Sequence, residues 1–476
     1  MQVTHHRRPR VAAEDIGAMS VCKLGSGCNL LGYYMYHGGT NPKGKLSSLQ
    51  ESTAVGSFCD VPELSYDFQA PIREYGQISE TAKELKLLYM FVHDYGETFC
   101  NMQPQFAGND RESTSVHTGD FQDAEDLSAF RMITRRNGDQ GYLFVNNYQR
   151  GYEMAEHKDV MLRVQTADGE IRFPKQDIKN GAYFFYPFNL PLSDDVTLRW
   201  INQTPLCNIN QKLWFFYGNE KMQYEADEKL SGQVLISMDR TWAKCAWRMK
   251  KYPNILFFSA LPILETENGI EVICRSDRAQ KNCWIIMDAT VEDAKTWIDN
   301  GWKKPDIIPD FLHVEGDAST ICVLSHELSA ADNQIVAPFT HTDVNNCIIL
   351  KEKTDFSMEE ACAIDDTGKD YREYVIRISY DKAYDAAKDN IFLLIDFQAD
   401  QAELYLNGEK IADQYYIGDV WEVSLKRFDF PMELILRLYP LEEDDKIYLE
   451  TQPYYVNGRC CSLKDIRCVY ECKEKL

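Results

Sequence analysis

The sequence predicts a multidomain chain that opens on a short βα unit and continues as several antiparallel β-sandwich or jelly-roll domains. Three observations carry this reading. A helix, an unbroken apolar run, a long loop and a second helix follow one another between Val11 and Gly96. From about Glu112 onward, short apolar and polar alternations meet Asp-Gly and Asn-Gly turns, the pattern of antiparallel strands. The length of 476 residues suits roughly two to four domains.

Val11 to Lys23 reads as the first helix. Glu14 and Asp15 stand early and Lys23 late, which complements the helix dipole, and Gly25 and Gly27 end it. Asn29 to Tyr36 (NLLGYYMY) is apolar without alternation, as in a strand covered on both faces. A loop from His37 to about Gln77 follows. Ser79 caps the second helix, with Ala82, Leu85, Leu88, Tyr89 and Val92 as its apolar stripe and Gly96 as its stop. This order is the rhythm of a β/α barrel or a doubly wound sheet, folds that place their chemistry on the loop after a strand. That loop carries His37, Gly38, Gly39, Thr40, Asn41, Tyr66, Asp67 and Glu74. One strand cannot close a barrel, which needs about 250 residues, so the unit is incomplete by itself.

Gly141 to Asn146 and Ala182 to Phe188 read as strands. Hairpins are expected at Asp168-Gly169, Asn268-Gly269 and Asn407-Gly408, the last after the alternation of Ala402, Leu404 and Leu406. A short helix spans about Val291 to Asn300. The expected segments are 1–107, the barrel-type end; 108–228, a β-domain; 229–350, a β-rich domain with the short helix; and 351–476, an antiparallel sandwich.

Composition bounds the partners. Hydrophobic residues make up 44% and charged residues 26%, as in an ordinary globular protein, with a net charge of −23. Such an acidic surface repels phosphate backbones and argues against nucleic acid. It suits a neutral partner such as a sugar, as do the 27 Tyr, 23 Phe and 8 Trp, which equally suit aromatic-rich sheet. No apolar run reaches the ~18–20 residues of a membrane span. Met1 to Arg10 lacks the apolar core of a signal peptide. The 15 cysteines are scattered and odd in number, which favours a reducing, cytoplasmic compartment without fixing it. There is no C-x-x-C pair, P-loop or G-x-S-x-G elbow, and Gly25-Ser26-Gly27 lacks the dinucleotide context. No metal or cofactor is expected.

Within the long loop, Tyr34-Met35-Tyr36-His37-Gly38-Gly39-Thr40-Asn41 would turn sharply away from the apolar run. His37 reads as a structural hydrogen-bonder more readily than as a catalyst. Asp67, in Ser65-Tyr66-Asp67-Phe68-Gln69-Ala70-Pro71, could accept sugar hydroxyls or cap its own turn. The basic cluster Thr4-His5-His6-Arg7-Arg8-Pro9-Arg10 reads as solvated loop, and adjacent histidines cannot form an H-x-x-x-H metal pair.

These residues resemble the end of the catalytic barrel in family 35 glycoside hydrolases, the β-galactosidase type. That family carries Arg-Pro before an acidic pair, matched by Arg8-Pro9 and Glu14-Asp15. A Y-M-F/Y-H-G-G-T-N stretch follows, matched by Tyr34 to Asn41, and then Y-D-Y/F-x-A-P-L/I-x-E-x-G, matched by Tyr66 to Gly76. The Gly141–Arg150 and Tyr183–Leu190 stretches are similar to its post-barrel β-domain, and Leu404–Asp413 to its galactose-binding-like jelly roll. Pro42-Lys43 departs from the family's usual Phe-Gly, and Phe68 stands where many members have a second sugar-lining tyrosine.

The resemblance implies that the opening unit is the C-terminal remnant of a (β/α)8 TIM barrel. It implies a retaining hydrolase of terminal β-galactosyl residues, with two glutamates ~5–5.5 Å apart as nucleophile and acid/base. In the family the nucleophile precedes the position of Tyr34 by a stretch that here falls before Met1, and no Glu precedes Glu14, so no catalytic residue carries over. The chain alone is expected to be inactive. Tyr34 and Phe68 match sugar-contacting positions, with Tyr66, His37, Asn41 and Asp67 as further substrate-site residues. The alternative is a non-catalytic carbohydrate-binding β-sandwich protein.

Overall fold

A computed structural model describes residues 7, 9–45, 49, 52–53, 56–57, 59–106, 125–227, 229–278, 280, 282–289, 293–328, 349–352, 362–364, 370–378 and 389–476. Thr4, His5, His6, Arg8 and Val291 lie outside these residues.

Among the described residues the architecture is mostly antiparallel sheet with four α-helices: α1 (Ala13–Gly25), α2 (Glu80–Phe99), α3 (Arg240–Lys244) and α4 (Asp293–Asp299). Asp15 accepts the Ala12 N–H at 2.8 Å and closes the start of α1. Ser79 accepts from Ala82 N–H at the start of α2. The expected stripe of α2 is only partly the buried one. Ala82, Leu85 and Leu88 are buried, but Tyr89 and Val92 are exposed, while Leu87, Met90, Phe91 and Phe99 are core. The helix is wedged between two layers, so its apolar arc is wider than one stripe. Leu88, Phe91, Tyr95 and Phe99 meet the first sheet, whereas Leu87 and Met90 meet a second core with Leu206 and Phe258. The burial of Phe99 against the first sheet carries the helix past Gly96, the expected stop.

A second correction concerns Asn29–Tyr36, which forms no strand. A strand needs neighbours to take its N–H and C=O groups, and no described strand runs beside it. Leu30 is 89% exposed and Tyr34 91% exposed. The described residues of 1–107 therefore hold two helices, a loop tied by short strand pairs and the strand Gln103–Phe106, and no barrel layer is seen among them.

The first sheet runs, in spatial order, Tyr224–Ala226, Thr197–Ile201, Ala182–Pro191, Gln140–Asn147, Arg131–Asn137 and Gln103–Phe106. Helices α1 and α2 cover one face through Val21, Leu24, Phe91, Phe144 and Phe185. The hairpin Arg163–Thr166/Gly169–Arg172 covers the other with Val164, Ile171 and Phe173. A four-stranded sheet follows, in which Leu213–Tyr217 and Val234–Met238 pair in parallel, and then an antiparallel one from Ala246–Met249 to Ile321–Glu327. The C-terminal sandwich packs two sheets around Leu393, Ile395, Leu404, Val423, Leu436 and Leu438. Asn407-Gly408 forms its hairpin tip as expected, with φ of 52° and 85°. The other two tips sit one residue early: Ala167-Asp168 and Glu267-Asn268 are the loops, and each Gly opens the return strand.

Three expected boundaries are crossed by sheets. Gln103–Phe106 is an edge of the first sheet, so the 107/108 division cuts its layer. The parallel Leu213–Tyr217/Val234–Met238 pair spans position 228, and Gly269–Arg275 pairs with Ser462–Lys475 across position 350. Soft composition changes mark loops, not the partners that strands find across them.

Candidate functional site

The two described ends of the long loop, 36–41 and 63–77, are tied to each other by backbone and side-chain bonds. Gly38 N–H donates to Ile72 O (2.7 Å) and Ile72 N–H to Tyr36 O (3.0 Å). Gly39 and Thr40 then pair with Tyr66 and Ser65. A Cβ at Gly38 would lie 2.9 Å from Glu74 N and 3.0 Å from Asp67 Cα, so the backbone approach here requires glycine. Asn41 is buried and donates through Nδ2 to Glu63 O (3.1 Å), with its own N–H on Leu64 O (2.7 Å).

Asp67 organises the second half of the loop. Its Oδ2 accepts from Arg73 Nε (2.6 Å) and Gln69 N–H (3.2 Å), and its Oδ1 from Glu74 N–H (2.7 Å). Of the two roles open to it, the capping one describes these contacts. Phe68 and Gln69 both hold left-handed φ, 49° and 55°, inside a turn closed by Ala70 N–H to Asp67 O (3.0 Å). Non-glycine residues in that region cost roughly 1–3 kcal/mol each and persist where surroundings hold them. Gln69 is held on both sides: its Oε1 accepts Val11 N–H and its Nε2 donates to Pro9 O, each at 2.9 Å. The turn presents the Phe68 ring edge-on to Tyr66 at 4.4 Å.

These elements border an open cavity of about 750 Å³. Tyr34, Tyr66 and Phe68 line it from the loop side, Ile16 and Met19 from α1, and Thr81 and Leu85 from α2. The Tyr34 and Tyr66 hydroxyls share a hydrogen bond of 2.6 Å. Of the six sequence-derived site residues, Tyr34, Tyr66 and Phe68 thus face one space. His37, whose Nδ1 contacts Gly38 O, together with Asn41 and Asp67, builds the loop behind it. The volume and the aromatic lining with a few hydroxyls suit a small organic ligand. No Asp or Glu is among the described residues lining the cavity. The helix contributions of Met19 and Leu85 were not legible, because both read simply as helix positions.

Glu74 is the titrating group behind this loop. Burial pushes its carboxyl up, hydrogen bonds from Thr40 and Ser65 pull it down, and Asp67 and Asp413 push it up again, to about 7. A raised carboxyl contributes stability that is full below its unfolded value of 4.5 and lost as pH rises through about 7. Glu74→Gln is therefore expected to flatten the fall in melting temperature over that window. Thermal scans of both proteins across it check this, and parallel pH profiles would refute it.

The C-terminal sandwich anchors the loop. Asp413, fully buried, accepts the N–H groups of Glu63 (2.6 Å), Leu64 (2.9 Å) and Ser65 (3.1 Å). Arg7 is buried too, paired with Asp60 at 3.4 Å and with Asp400, and its guanidinium lies over the Tyr415 ring. This corrects the solvated reading for Arg7, while Arg10 is exposed as expected. Tyr415, Tyr416 and Trp421 are 5%, 4% and 5% exposed, so none of them presents an open aromatic face. They are consumed by the sandwich core and by the contact with Arg7 and Thr53.

Among the described residues no three His, Cys, Asp or Glu cluster as a metal site, and no helix is long and apolar enough to cross a membrane. No family model matches the chain, and no curated protein matches it either.

Proposed function

We propose that this chain is the C-terminal part of a β-galactosidase-type glycoside hydrolase resembling family 35, with both catalytic glutamates supplied from outside it. The observation that carries the reading is the convergence of Tyr34, Tyr66 and Phe68 on one open cavity at the end of the apolar run. Two further features support it. Met19 on α1, Leu30 and Tyr34 in the run after it, and Tyr89 and Val92 on α2 are exposed large apolar side chains, such as a covering layer would bury. The cavity lining also offers hydroxyls and aromatic faces without the paired carboxylates that retaining hydrolysis requires. On this reading the loop supplies part of the galactosyl subsite, and the sandwich braces it through Asp413 and Arg7.

The purified chain is expected to show no turnover of aryl β-galactosides above a buffer blank. The same chain extended by the polypeptide encoded upstream of Met1 is expected to hydrolyse them. Turnover by the unextended chain from a clean host would overturn the placement of the glutamates, and an inactive extended chain would overturn the enzyme reading. The carboxylate-free lining also favours a second reading, a non-catalytic carbohydrate-binding protein. Galactose binding by an extended chain that never hydrolyses would select it.

A further inference from the structure

Cys274 and Cys472 stand directly opposite each other on neighbouring antiparallel strands, Gly269–Arg275 and Ser462–Lys475. Two backbone bonds fix their place in the ladder. Leu476 N–H donates to Ile270 O and Ser276 N–H to Tyr470 O, both at 2.9 Å. Hydrogen-bonded pairs recur at every second position, so 272/474 and 274/472 are also of this type. Such pairs have Cα atoms about 5.5 Å apart, inside the range of about 4.4–6.8 Å that a disulfide spans. The two side chains, directly opposed in the ladder, leave the sheet on the same face. Both are free thiols.

We propose that Cys274 and Cys472 form a reversible cross-strand disulfide, a redox modification site that staples the last strand of the chain to the Gly269–Arg275 strand. The roles of the two sulfurs follow from exposure. Cys274 is buried among Val272, Cys283 and Leu324, whereas Cys472 is partly exposed at the edge of that core. The neighbouring Cys274 thiol pulls the Cys472 thiol down, against burial and the carboxylates of Asp389, Glu474 and Glu471. The accessible sulfur is thus also the better thiolate.

The reaction is thiol–disulfide exchange with a low-molecular-weight disulfide such as oxidised glutathione. Cys472 thiolate attacks one sulfur of glutathione disulfide, forming a mixed disulfide and releasing one glutathione thiolate. Cys274, losing its proton, then attacks Cys472 Sγ and expels the second glutathione. Two protein thiols are oxidised to one disulfide, one glutathione disulfide is reduced to two thiols, and the two protein protons end on the released glutathiones.

The staple closes a long chain segment, because the two cysteines flank everything from the third sheet's Asn282–Asp288 strand to the sandwich. Long closures restrict the unfolded chain most, although strain limits what is realised. Its mechanical effect is specific. Ser462–Lys475 runs through both the sandwich sheet and the Gly269–Arg275 pairing, so a link at Cys472 ties the sandwich to the middle of the chain.

The test equilibrates the folded chain with oxidised and reduced glutathione at several ratios, quenches free thiols with an alkylating reagent and maps proteolytic peptides. The expected result is one dominant linked pair joining the peptides of Cys274 and Cys472, reversed by excess reduced glutathione. In the wild-type chain its appearance should accompany a higher urea midpoint. Cys472→Ser should lose both the linked peptide and the redox dependence of the midpoint. As an independent readout, brief alkylation of the reduced, folded wild-type chain should label Cys472 before Cys274. Absence of the linked peptide under oxidising ratios, or dominance of a different cysteine pair, would overturn the proposal.

Discussion

Replacing Arg135 by methionine is expected to destabilise the chain by roughly 3–5 kcal/mol, because several buried carbonyls lose a charged donor at about 1–3 kcal/mol each. Arg135 is fully buried in the strand Arg131–Asn137, and its side-chain hydrogen bonds reach the ends of α1 and α2 and the Asn29 side chain. Nη1 donates to Leu24 O (2.8 Å) and Cys28 O (3.1 Å) at the end of α1, and Nε to Met102 O (3.1 Å) just beyond α2. Nη2 reaches Asn29 Oδ1, and the guanidinium lies over the Phe99 ring at 4.0 Å. One cation thus neutralises the negative ends of two helices and fixes where the Asn29–Tyr36 run begins. Arg135→Lys keeps the charge but not the planar fork, and should recover only part of the loss. Urea midpoints of the three proteins check this order. A methionine variant within about 1 kcal/mol of wild type would show that the helix ends are satisfied in another way.

Glu84→Ala is expected to cost about 3–5 kcal/mol for a related reason, since removing the buried carboxylate leaves two half-buried cations uncompensated. Glu84 lies on α2 at 3% exposure, paired with Arg240 and with Lys244 (2.9 Å) of α3, and accepting from Tyr183 OH (2.8 Å). Arg240 also lies over the Tyr183 and Tyr217 rings. Burial pushes the Glu84 carboxyl up, but Arg240 and Lys244 with the hydrogen bonds pull it below its ordinary 4.5. A lowered carboxyl contributes stability that is present above 4.5 and lost as pH falls through the folded value. The wild type should therefore lose its advantage over Glu84→Ala on acidification, the opposite sense to Glu74. The cluster is close enough that a Cβ at Gly17 would lie 2.5 Å from Glu84 Oε1, so Gly17→Ala should perturb it without altering any charge. Melting temperatures of both variants against pH test the assignment, and a Glu84→Ala profile parallel to wild type would refute it.

Much of the local structure could be read directly. The acids of α1, the Ser79 cap of α2, the short helix near residue 293 and the Asn407-Gly408 tip all occur where their residues call for them. Each depends on contacts within a few positions, where capping geometry and turn dihedrals act. The aromatic trio Tyr34, Tyr66 and Phe68 was also legible as a group, from the motifs that hold those residues. The cavity they share with Met19 and Leu85 was not, because it depends on how two helices lie against the loop.

Local periodicity determined many of the helices and strands, Asn29–Tyr36 excepted, and the Asn407-Gly408 tip. Tertiary structure alone decided their partners. Leu213–Tyr217 pairs in parallel with Val234–Met238, and Gly269–Arg275 finds the last strand of the chain, because a strand's N–H and C=O groups look alike at every register. The apolar run Asn29–Tyr36 has every strand propensity and stays unpaired, since propensity supplies no hydrogen-bonding neighbour. Arg7 and Tyr415, far apart in sequence and polar enough to suit a surface, are buried because each shields the other from water.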